Sequence, residues 1–160
     1  MKSIDGWLDL CSGIGAGFPY AGIKLWGRSP NLFCEKDEYY RRIINQRYPG
    51  RPIATDVNRT EWKFNYNTNL ITATPPCQPF SVDGNQLGSN DVKNCFPAVL
   101  SAIRELQPQF TVIKNVAGLL SCRTRPGNDQ PYFAGILNEL SESGYNVEWQ
   151  AISLAHFGAP

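Results

Sequence analysis

The regular alternation of short apolar runs with segments of helical length is the feature that most constrains how this chain folds. Apolar runs of strand length occur at residues 7–11, 31–34, 52–55, 70–73, 110–113 and 147–154. Helical spacing or helix-ending residues mark the segments between them, at 18–26, 37–48, 92–106 and 133–143. Gly27 is predicted to end the first of these helices, and Asp37 is predicted to cap the second. Strands joined by helical crossovers pair in parallel, with the helices packed on the sheet. We therefore predict an α/β fold, a mostly parallel sheet with helices on both faces.

Length and composition narrow the class of protein. A chain of 160 residues can form one domain with a substantial core, and we find no repeat or linker that divides it. No apolar run is long enough to cross a bilayer, and the first six residues lack the apolar segment of a signal peptide. We therefore expect an intracellular, cytoplasmic protein with no membrane partner. The net charge of +1 neither supports nor excludes nucleic-acid binding, because a basic surface can be confined to one cleft.

The cysteines do not indicate a metal site. There are five of them, and they form no Cys-x-x-Cys pair or Cys/His cluster. In a reducing compartment we expect most of them to be reduced and to pack as small apolar residues. The single histidine, His156, is interpreted as structural.

The unusual residues of this chain fall where predicted strands end. In an open parallel sheet, ligands bind beyond the carboxyl ends of the strands. Five successive strand ends carry glycines, carboxylates, a proline-rich loop or polar residues, at 13–17, 35, 56, 75–81 and 114–115. Because these ends meet at one edge of the sheet, we expect a single cleft there.

Gly13, Gly15 and Gly17 form a G-x-G-x-G turn between the first strand and the first helix. Such a turn lets a ligand approach the backbone closely, although a plain tight turn explains the glycines equally well. Glu35 ends the second strand, where a carboxylate can accept both ribose hydroxyls of an adenosine-bearing cofactor. Asp56 ends the third strand and could accept from an adenine amino group. The alternative for both acids is a helix-capping or turn role.

Cys77 lies in the loop Thr74-Pro75-Pro76-Cys77-Gln78-Pro79-Phe80-Ser81. Prolines restrict the backbone and would hold the thiol in a fixed position after the fourth strand. A stiff loop at a ligand cleft favours a nucleophile over the alternative, a buried structural cysteine. Lys114 and Asn115 end the fifth strand and point to the same cleft, unless they are only solvated polar residues.

Arginines are the remaining candidates for nucleic-acid contact. Arg123 and Arg125 flank the predicted cleft and are candidate phosphate contacts, with a solvated surface as the alternative. A second group is interpreted as a solvated helix face: Arg41, Arg42, Arg47 and Arg51.

Together these motifs resemble the DNA cytosine-5 methyltransferase family. The stretch 75–81 is highly specific, and the match extends in order from Asp9 to Pro160. The resemblance implies a Rossmann-like fold that binds S-adenosyl-L-methionine, with residues 1–160 as one catalytic domain and the target-recognition domain absent. It implies a bacterial, archaeal or phage enzyme, for instance of restriction-modification, with DNA as its partner.

The resemblance also implies a role for each matching residue. The Cys77 thiolate would add to C6 of a cytosine flipped out of the duplex, so that C5 accepts the methyl group. Lys114, at the family's glutamate position, and Asn115 would complete the catalytic site. Cofactor contacts are implied for Asp9, Gly13, Gly15, Phe18, Glu35, Asp56 and Pro76. Substrate contacts are implied for Gln78 and Ser81, with Arg123 and Arg125 as the phosphate candidates.

Two departures from the family pattern leave the activity open. Lys114 replaces a glutamate that normally holds the cytosine, and an ammonium cannot accept the hydrogen bond from the cytosine amino group. The sequence stops before the family's Gln-x-Arg-x-Arg motif. We therefore expect a cytosine-5 methyltransferase that is weak or inactive alone. The alternatives are a subunit of a split enzyme completed by a second chain, and a binding module that has lost the reaction.

Overall fold

The computed structural model describes residues 6–62, 67–81, 91–123 and 131–159. Its strands are β1 (Trp7–Leu10), β2 (Leu32–Cys34), β3 (Ile53–Ala54), β4 (Leu70–Ala73) and β5 (Phe110–Ile113). Its α-helices are α1 (Phe18–Trp26), α2 (Glu38–Arg47), α3 (Phe96–Leu106) and α4 (Tyr132–Glu142). Two short 3-10 helices cover Ala117–Leu120 and Leu154–Phe157. In the described part of the chain, no helix has the length and apolar character that a membrane span requires.

All five strands are parallel, in the order β3-β2-β1-β4-β5. The predicted parallel α/β sheet is therefore confirmed. The chain runs outward from β1 to β3 and then returns to place β4 on the other side of β1. The loops after β1 and β4 consequently diverge in opposite directions, which opens a crevice at the carboxyl ends of the strands.

Alternate strand residues point to opposite faces of the sheet, and helices cover both faces. On one face, Leu10, Ile71 and Ala73 are fully buried with Val99 and Ile103 of α3. On the other face, Phe33 packs with Ile44 of α2 and with Tyr48. Gly22 of α1 lies so close to Trp7 that an added Cβ would be 2.3 Å from the indole ring.

The helix ends follow local chemistry. The predicted cap Asp37 is confirmed, because its side chain accepts hydrogen bonds from the backbone N–H groups of Tyr39 and Tyr40 at the start of α2. Gly27 ends α1 in a left-handed conformation, as predicted. Helix α3 begins at Phe96 rather than at the predicted Val92. The Asn94 side chain accepts from the Phe96 N–H, and Pro97 is tolerated only in a first turn.

The sixth strand predicted at 147–154 is wrong. Residues 145–153 have no regular secondary structure, and a short 3-10 helix begins at Leu154. Val147, Trp149 and Ile152 have strand-like chemistry but are 38%, 59% and 62% exposed. Apolar alternation specifies a strand only where a neighbouring strand accepts its hydrogen bonds, and within the described residues β5 pairs only with β4.

Candidate functional site

A cleft of about 420 Å³ opens at the carboxyl ends of the strands. It is bordered by the turn after β1, by the residues that follow β2 and β3, and by the loops after β4 and β5. This is the single cleft that the strand-end residues predicted. In the described ranges, no group of three or more His, Cys, Asp or Glu side chains is arranged to hold a metal ion.

The glycine turn is held by side chains from α2 and its C-terminal end. Gly13 and Gly15 both have positive φ, at 54° and 68°, which only glycine adopts without strain. The Tyr48 hydroxyl donates to the Gly15 carbonyl at 2.6 Å, and Arg47 donates to the Ile14 carbonyl at 3.0 Å. A Cβ on Gly15 would lie 2.7 Å from the Tyr48 ring. Gly15 therefore serves the packing of the turn, while Gly13 borders the cleft.

The Glu35 carboxylate joins two backbone segments at the cleft. One oxygen accepts from the Gly13 N–H at 2.7 Å and the other accepts from the Asp37 N–H at 2.8 Å. A carboxylate has about four lone-pair positions, so it can still accept hydrogen bonds from a ligand. Because Glu35 is half-buried and borders the cleft, it is both a structural bridge and a potential hydrogen-bond acceptor for a ligand.

Asp56 borders the same side of the cleft and is almost fully buried. Burial raises its pKa, but hydrogen bonds from the backbone and side chain of Asn58, with Lys36 and Arg59 nearby, bring the pKa below its usual value. Lys36 Nζ and Arg59 Nε lie 3.7 and 3.9 Å from Asp56 Oδ2. The carboxylate is therefore ionised at neutral pH and can accept hydrogen bonds from a ligand.

Asp9 lies beneath the cleft rather than in its wall. It is 2% exposed and accepts a hydrogen bond from the Thr72 hydroxyl, which in turn accepts from the Trp7 indole at 2.8 Å. Burial raises the pKa of Asp9 to about 7, although hydrogen bonds from Thr72 and Ser12 oppose this. These contacts give Asp9 a part in joining β1 to β4 below the cleft.

The Cys77 loop is a compact turn fixed to its neighbours. The backbone N–H groups of Phe80 and Ser81 both donate to the Cys77 carbonyl, at 2.9 and 2.8 Å. Phe80 is buried in the main core, where its ring stacks on Tyr132. The backbone of this loop is thereby anchored while the Cys77 side chain borders the cleft.

Lys114 and Asn115, which follow β5, border the same cleft as Cys77. The Asn115 amide donates to the Pro75 carbonyl at 3.1 Å and its oxygen accepts from the Val116 N–H at 2.9 Å. Asn115 therefore ties the two loops together. Lys114 is exposed, and its backbone N–H donates to the Ala73 carbonyl of β4. Both residues border the cleft with Cys77, so a positive charge stands in the wall that contains the thiol.

The structure brings together eight of the sequence-predicted site residues along the cleft: Gly13, Glu35, Asp56, Pro76, Cys77, Gln78, Lys114 and Asn115. Five others do not border it: Asp9, Gly15, Phe18, Ser81 and Arg123. Phe18 begins α1, and Arg123 is exposed in an isolated bridge to Pro131. Arg125 lies outside the described residues.

Several residues of the site were not singled out from the sequence. Cys11 and Cys95 border the cleft, and Thr74 links the β4 loop to the β1 loop by donating to the Cys11 carbonyl at 2.7 Å. Gly118 lets the 3-10 turn after β5 approach the Cys77 loop, since a Cβ there would lie 2.2 Å from the Phe80 carbonyl oxygen. The only sequence signal for these residues was their position just after a strand or before a helix.

Known proteins share both the sequence pattern and the fold. A family model described as C-5 cytosine-specific DNA methylase matches residues 6–160. The Type II methyltransferase M.AplI of Arthrospira platensis is 28% identical over 156 residues, which are 96% of this chain and 41% of that protein. M.NaeI of Lentzea aerocolonigenes is 26% identical over 168 aligned positions, which cover 100% of this chain and 38% of that protein. The chain thus spans about two fifths of the length of these curated relatives.

Solved structures show the same fold. The Entamoeba histolytica methyltransferase EhMeth has a TM-score of 0.62 at 19% identity, covering 89% of this chain and 44% of that one. A putative DNA modification methyltransferase encoded within an E. coli prophage has a TM-score of 0.58 at 24% identity, covering 86% and 38%. The fold is therefore the Rossmann-like fold of these methyltransferases. Because the family model matches almost the whole chain, the protein belongs to the C-5 cytosine-specific DNA methylase family.

Proposed function

We propose that this chain supplies the cofactor-binding and nucleophilic part of a DNA cytosine-5 methyltransferase, with Cys77 as the nucleophile. The observation that carries the proposal is the shared cleft, in which Cys77 stands on one side and Glu35 and Asp56 on the other. The proposed cofactor is S-adenosyl-L-methionine and the proposed substrate is cytosine in DNA. A DNA substrate would place this activity inside the cell.

The residues at the cleft fit an adenosine-bearing cofactor. Glu35 would accept hydrogen bonds from the ribose hydroxyls, and Asp56 would accept from the adenine amino group. Gly13 leaves the turn open on the cleft side, because a Cβ built there meets no atom within 4 Å. Pro76 would form part of the wall beside the transferable group. When bound, S-adenosyl-L-methionine supplies an electrophilic methyl group.

Cys77 would carry the covalent step. Its thiolate would add to C6 of the cytosine, and C5 would then be nucleophilic enough to accept a methyl group. After a base removes the C5 proton, the C6–S bond would break and restore the aromatic ring. The anchored Cys77 backbone supports this role, because a nucleophile must be held at a fixed distance from its target. Gln78 borders the cleft beside Cys77 and is proposed to contact the DNA, together with Ser81, Arg123 and Arg125.

Lys114 lowers the activity in this proposal. An ammonium in the cleft wall is a donor only, so it cannot accept from the cytosine amino group and it repels a protonated ring. Loss of such acid catalysis typically lowers a rate by ~10²–10⁴-fold. We therefore expect weak or undetectable turnover by the unaltered chain, together with cofactor binding.

The direct test compares the unaltered chain with Lys114→Glu and Cys77→Ser. Transfer of labelled methyl from S-adenosyl-L-methionine to DNA should rise by ~10²–10⁴-fold in Lys114→Glu. It should be abolished in Cys77→Ser and in the double variant. Calorimetry should show that all four proteins bind the cofactor. Absence of both binding and transfer in every protein would overturn the proposal.

Lys114 also favours a second candidate, a module that binds cofactor and DNA without turnover. DNA containing 5-fluorocytosine separates the two, because a nucleophilic Cys77 would remain covalently attached to the ring. An adduct on the unaltered chain excludes the binding module. Specific DNA binding with no adduct, even in Lys114→Glu, supports it.

The proposed partner chain is motivated by the outer edge of β5. Phe110 and Val112 of this strand are 60% and 45% exposed. A second chain that covered this surface would also supply a target-recognition region. Methyl transfer by the isolated monomer, measured in the sedimentation fraction that contains it, would contradict the need for a partner.

A further inference from the structure

Lys114 stands in the cleft wall without a role in the proposed cytosine reaction. Its side chain is exposed, and among the described residues its ammonium has no hydrogen-bond or ion-pair partner. The adjacent Asn115 is held at both ends of its amide, by the Pro75 carbonyl and by the Val116 N–H. Lys114 therefore brings an uncommitted hydrogen-bond donor to a molecule bound in the cleft.

The strand order puts Lys114 beside the Cys77 loop and the cleft carboxylates farther away. β4 and β5 are neighbours, and the Lys114 N–H donates to the Ala73 carbonyl at 3.0 Å. Neighbouring strands lie about 4.8 Å apart, so β2 and β3 are about 10 and 14 Å from β4 across the sheet. Glu35 and Asp56 follow those two strands. A pyrimidine ring at Cys77 therefore has an ammonium, rather than a carboxylate, at the neighbouring strand end.

An ammonium distinguishes pyrimidine rings by the group at position 4. Lysine donates up to three hydrogen bonds and accepts none. Cytosine has an amino group at position 4, which donates, whereas uracil has the oxygen O4 that thymine also carries, which accepts. Gln78 borders the cleft as well, but an amide both donates and accepts and so fits N3 of either ring. The hydrogen-bond donor at the end of β5 thus matches uracil and not cytosine.

We propose that this site also methylates uracil in DNA at C5, and does so faster than it methylates cytosine. The proposal rests on the proposed function, because it uses the same nucleophile, Cys77, and the same cofactor, S-adenosyl-L-methionine. Lys114 is the residue that selects the ring, through a hydrogen bond from its ammonium to O4.

The bond changes are those of addition to a conjugated carbonyl. The Cys77 thiolate adds to C6, which forms the S–C6 bond and moves the C5–C6 π electrons through C4 onto O4. C5 then takes the methyl group as its bond to the cofactor sulfur breaks, and that electron pair stays on the sulfur. Transfer of the C5 proton to water and departure of the Cys77 thiolate restore the C5–C6 double bond. The products are thymine in the DNA, S-adenosyl-L-homocysteine and one proton.

The charge of Lys114 suits this reaction because the negative charge collects on one oxygen. In cytosine the same electrons move to N3, which then needs a proton, and an ammonium repels the protonated ring. In uracil they form an enolate at O4, which an ammonium stabilises directly. Removal of one such donor to an oxyanion typically costs ~10²–10³-fold in rate. We therefore expect uracil to be preferred by roughly this factor.

DNA amplified with deoxyuridine in place of thymidine tests the substrate, because it offers uracil and cytosine in every sequence context. The full chain is incubated with this DNA and labelled S-adenosyl-L-methionine, and the DNA is digested to nucleosides. Label should appear in thymidine ~10²–10³-fold above 5-methyldeoxycytidine. Lys114→Glu should reverse the ratio, and Lys114→Met should lose the thymidine label by the same factor.

Lys93→Met is the matched control, since it removes another lysine from the same cleft and should leave the ratio unchanged. Label confined to 5-methyldeoxycytidine with the unaltered chain would overturn the proposal. A ratio that is the same in the unaltered chain and in Lys114→Glu would also overturn it.

Hydrogen exchange in heavy water provides a second readout that needs no cofactor. Addition of Cys77 at C6 makes C5 basic, so C5 takes up deuterium and reversal leaves labelled uracil. Mass spectrometry should find deuterium in deoxyuridine with the unaltered chain, ~10²–10³-fold less in Lys114→Met and none in Cys77→Ser. Exchange in deoxycytidine alone would overturn the proposal.

The two experiments separate this proposal from the proposed function. If Lys114→Glu methylates cytosine while the unaltered chain modifies neither ring, the uracil activity fails and the proposed function stands. If no variant binds the cofactor or transfers methyl, the proposed function fails, while the deuterium exchange still decides whether Cys77 and Lys114 act on uracil.

Discussion

At the scale of single residues, burial and hydrogen-bond partners set the pKa values of the two buried aspartates, Asp9 and Asp56, in opposite directions. Asp9 is buried with two neutral hydroxyls as its main partners, so its charged form is disfavoured. Asp56 is also buried, but the N–H groups of Asn58 and two nearby cations stabilise its charge. The two carboxylates therefore have opposite effects on stability as pH changes.

We expect Asp9→Asn to remove a pH dependence of stability. The pKa of Asp9 is about 7 in the folded protein and 3.8 as a model value, so the folded state retains a proton that the unfolded state releases. Stability is therefore present below about pH 4 and is lost as pH rises to about 7. Urea unfolding at pH 4 should barely distinguish the variant from the parent, whereas at pH 8 the variant should gain up to about 4 kcal/mol.

Asp56→Asn is the matched control for this experiment. Its pKa is lowered from the usual 3.8, so the stability that its charge contributes is present well above pH 4, and the loss in this variant should be nearly constant between pH 6 and pH 8. A parent protein whose unfolding free energy does not fall between pH 4 and pH 7 would contradict the assignment of Asp9 as a buried, protonated acid.

At the scale of elements, α2 holds the ligand end of the sheet in place. Its N-terminus is joined to Glu35 through the Asp37 N–H, and Tyr48 and Arg47 at its C-terminal end hold the glycine turn. One helix therefore positions both parts of the proposed cofactor site. A loss of order at either end of α2 would therefore displace Glu35 or the glycine turn at the cleft.

We expect Asp37→Ala to destabilise the protein by ~1 kcal/mol, because the Tyr39 and Tyr40 N–H groups lose their acceptor. Cofactor affinity should fall as well, since Glu35 is bonded to the first residues of this helix. Urea unfolding and calorimetry measure the two effects. Asp37→Asn retains a capping oxygen and should remain close to the parent protein. If both variants lose the same stability and affinity, the charge of Asp37 rather than its capping hydrogen bonds is responsible.

At the scale of the whole molecule, one edge of the sheet is uncovered. Phe110 and Val112 face the side on which α1 and α2 pack, and both side chains are exposed. Thr111 Oγ1 on the other face is buried without a hydrogen-bond partner among the described residues. A cavity of about 430 Å³ separates β5 and α4 from the segment at 145–152. Exposed strand edges of this kind promote association.

We expect the double variant Phe110→Thr/Val112→Thr to bind less of the dye ANS and to self-associate less than the parent protein. Threonine keeps strand propensity and removes the apolar patch, so the urea midpoint should change little. ANS fluorescence and sedimentation velocity over a range of concentrations measure the effect. Leu25→Ser is the matched control, since Leu25 on α1 is 72% exposed. If that control lowers association equally, the β5 edge is not the responsible surface.

Local signals in the sequence were sufficient for most elements. Apolar runs of strand length predicted β1 to β5 to within one or two residues, and the runs that form β1, β2 and β4 are fully buried. Asp37 and Gly27 marked helix ends because caps depend on neighbouring backbone groups alone. The same local reasoning failed at 147–154, where the apolar pattern is present but no strand accepts its hydrogen bonds within the described residues.

The sequence by itself determined the α/β fold, the strand ends and the Cys77 loop, since these depend on short-range periodicity and on proline and glycine stereochemistry. Only the tertiary structure decided which of the marked residues face the cleft. It placed Asp9 beneath the cleft and Gly15 against Tyr48, although cofactor contacts were implied for both. It also brought Asn115 to the Cys77 loop, where its amide donates to the Pro75 carbonyl 40 positions earlier in the chain. Strand order and side-chain packing determine such contacts, and the spacing of residues along the sequence does not predict them.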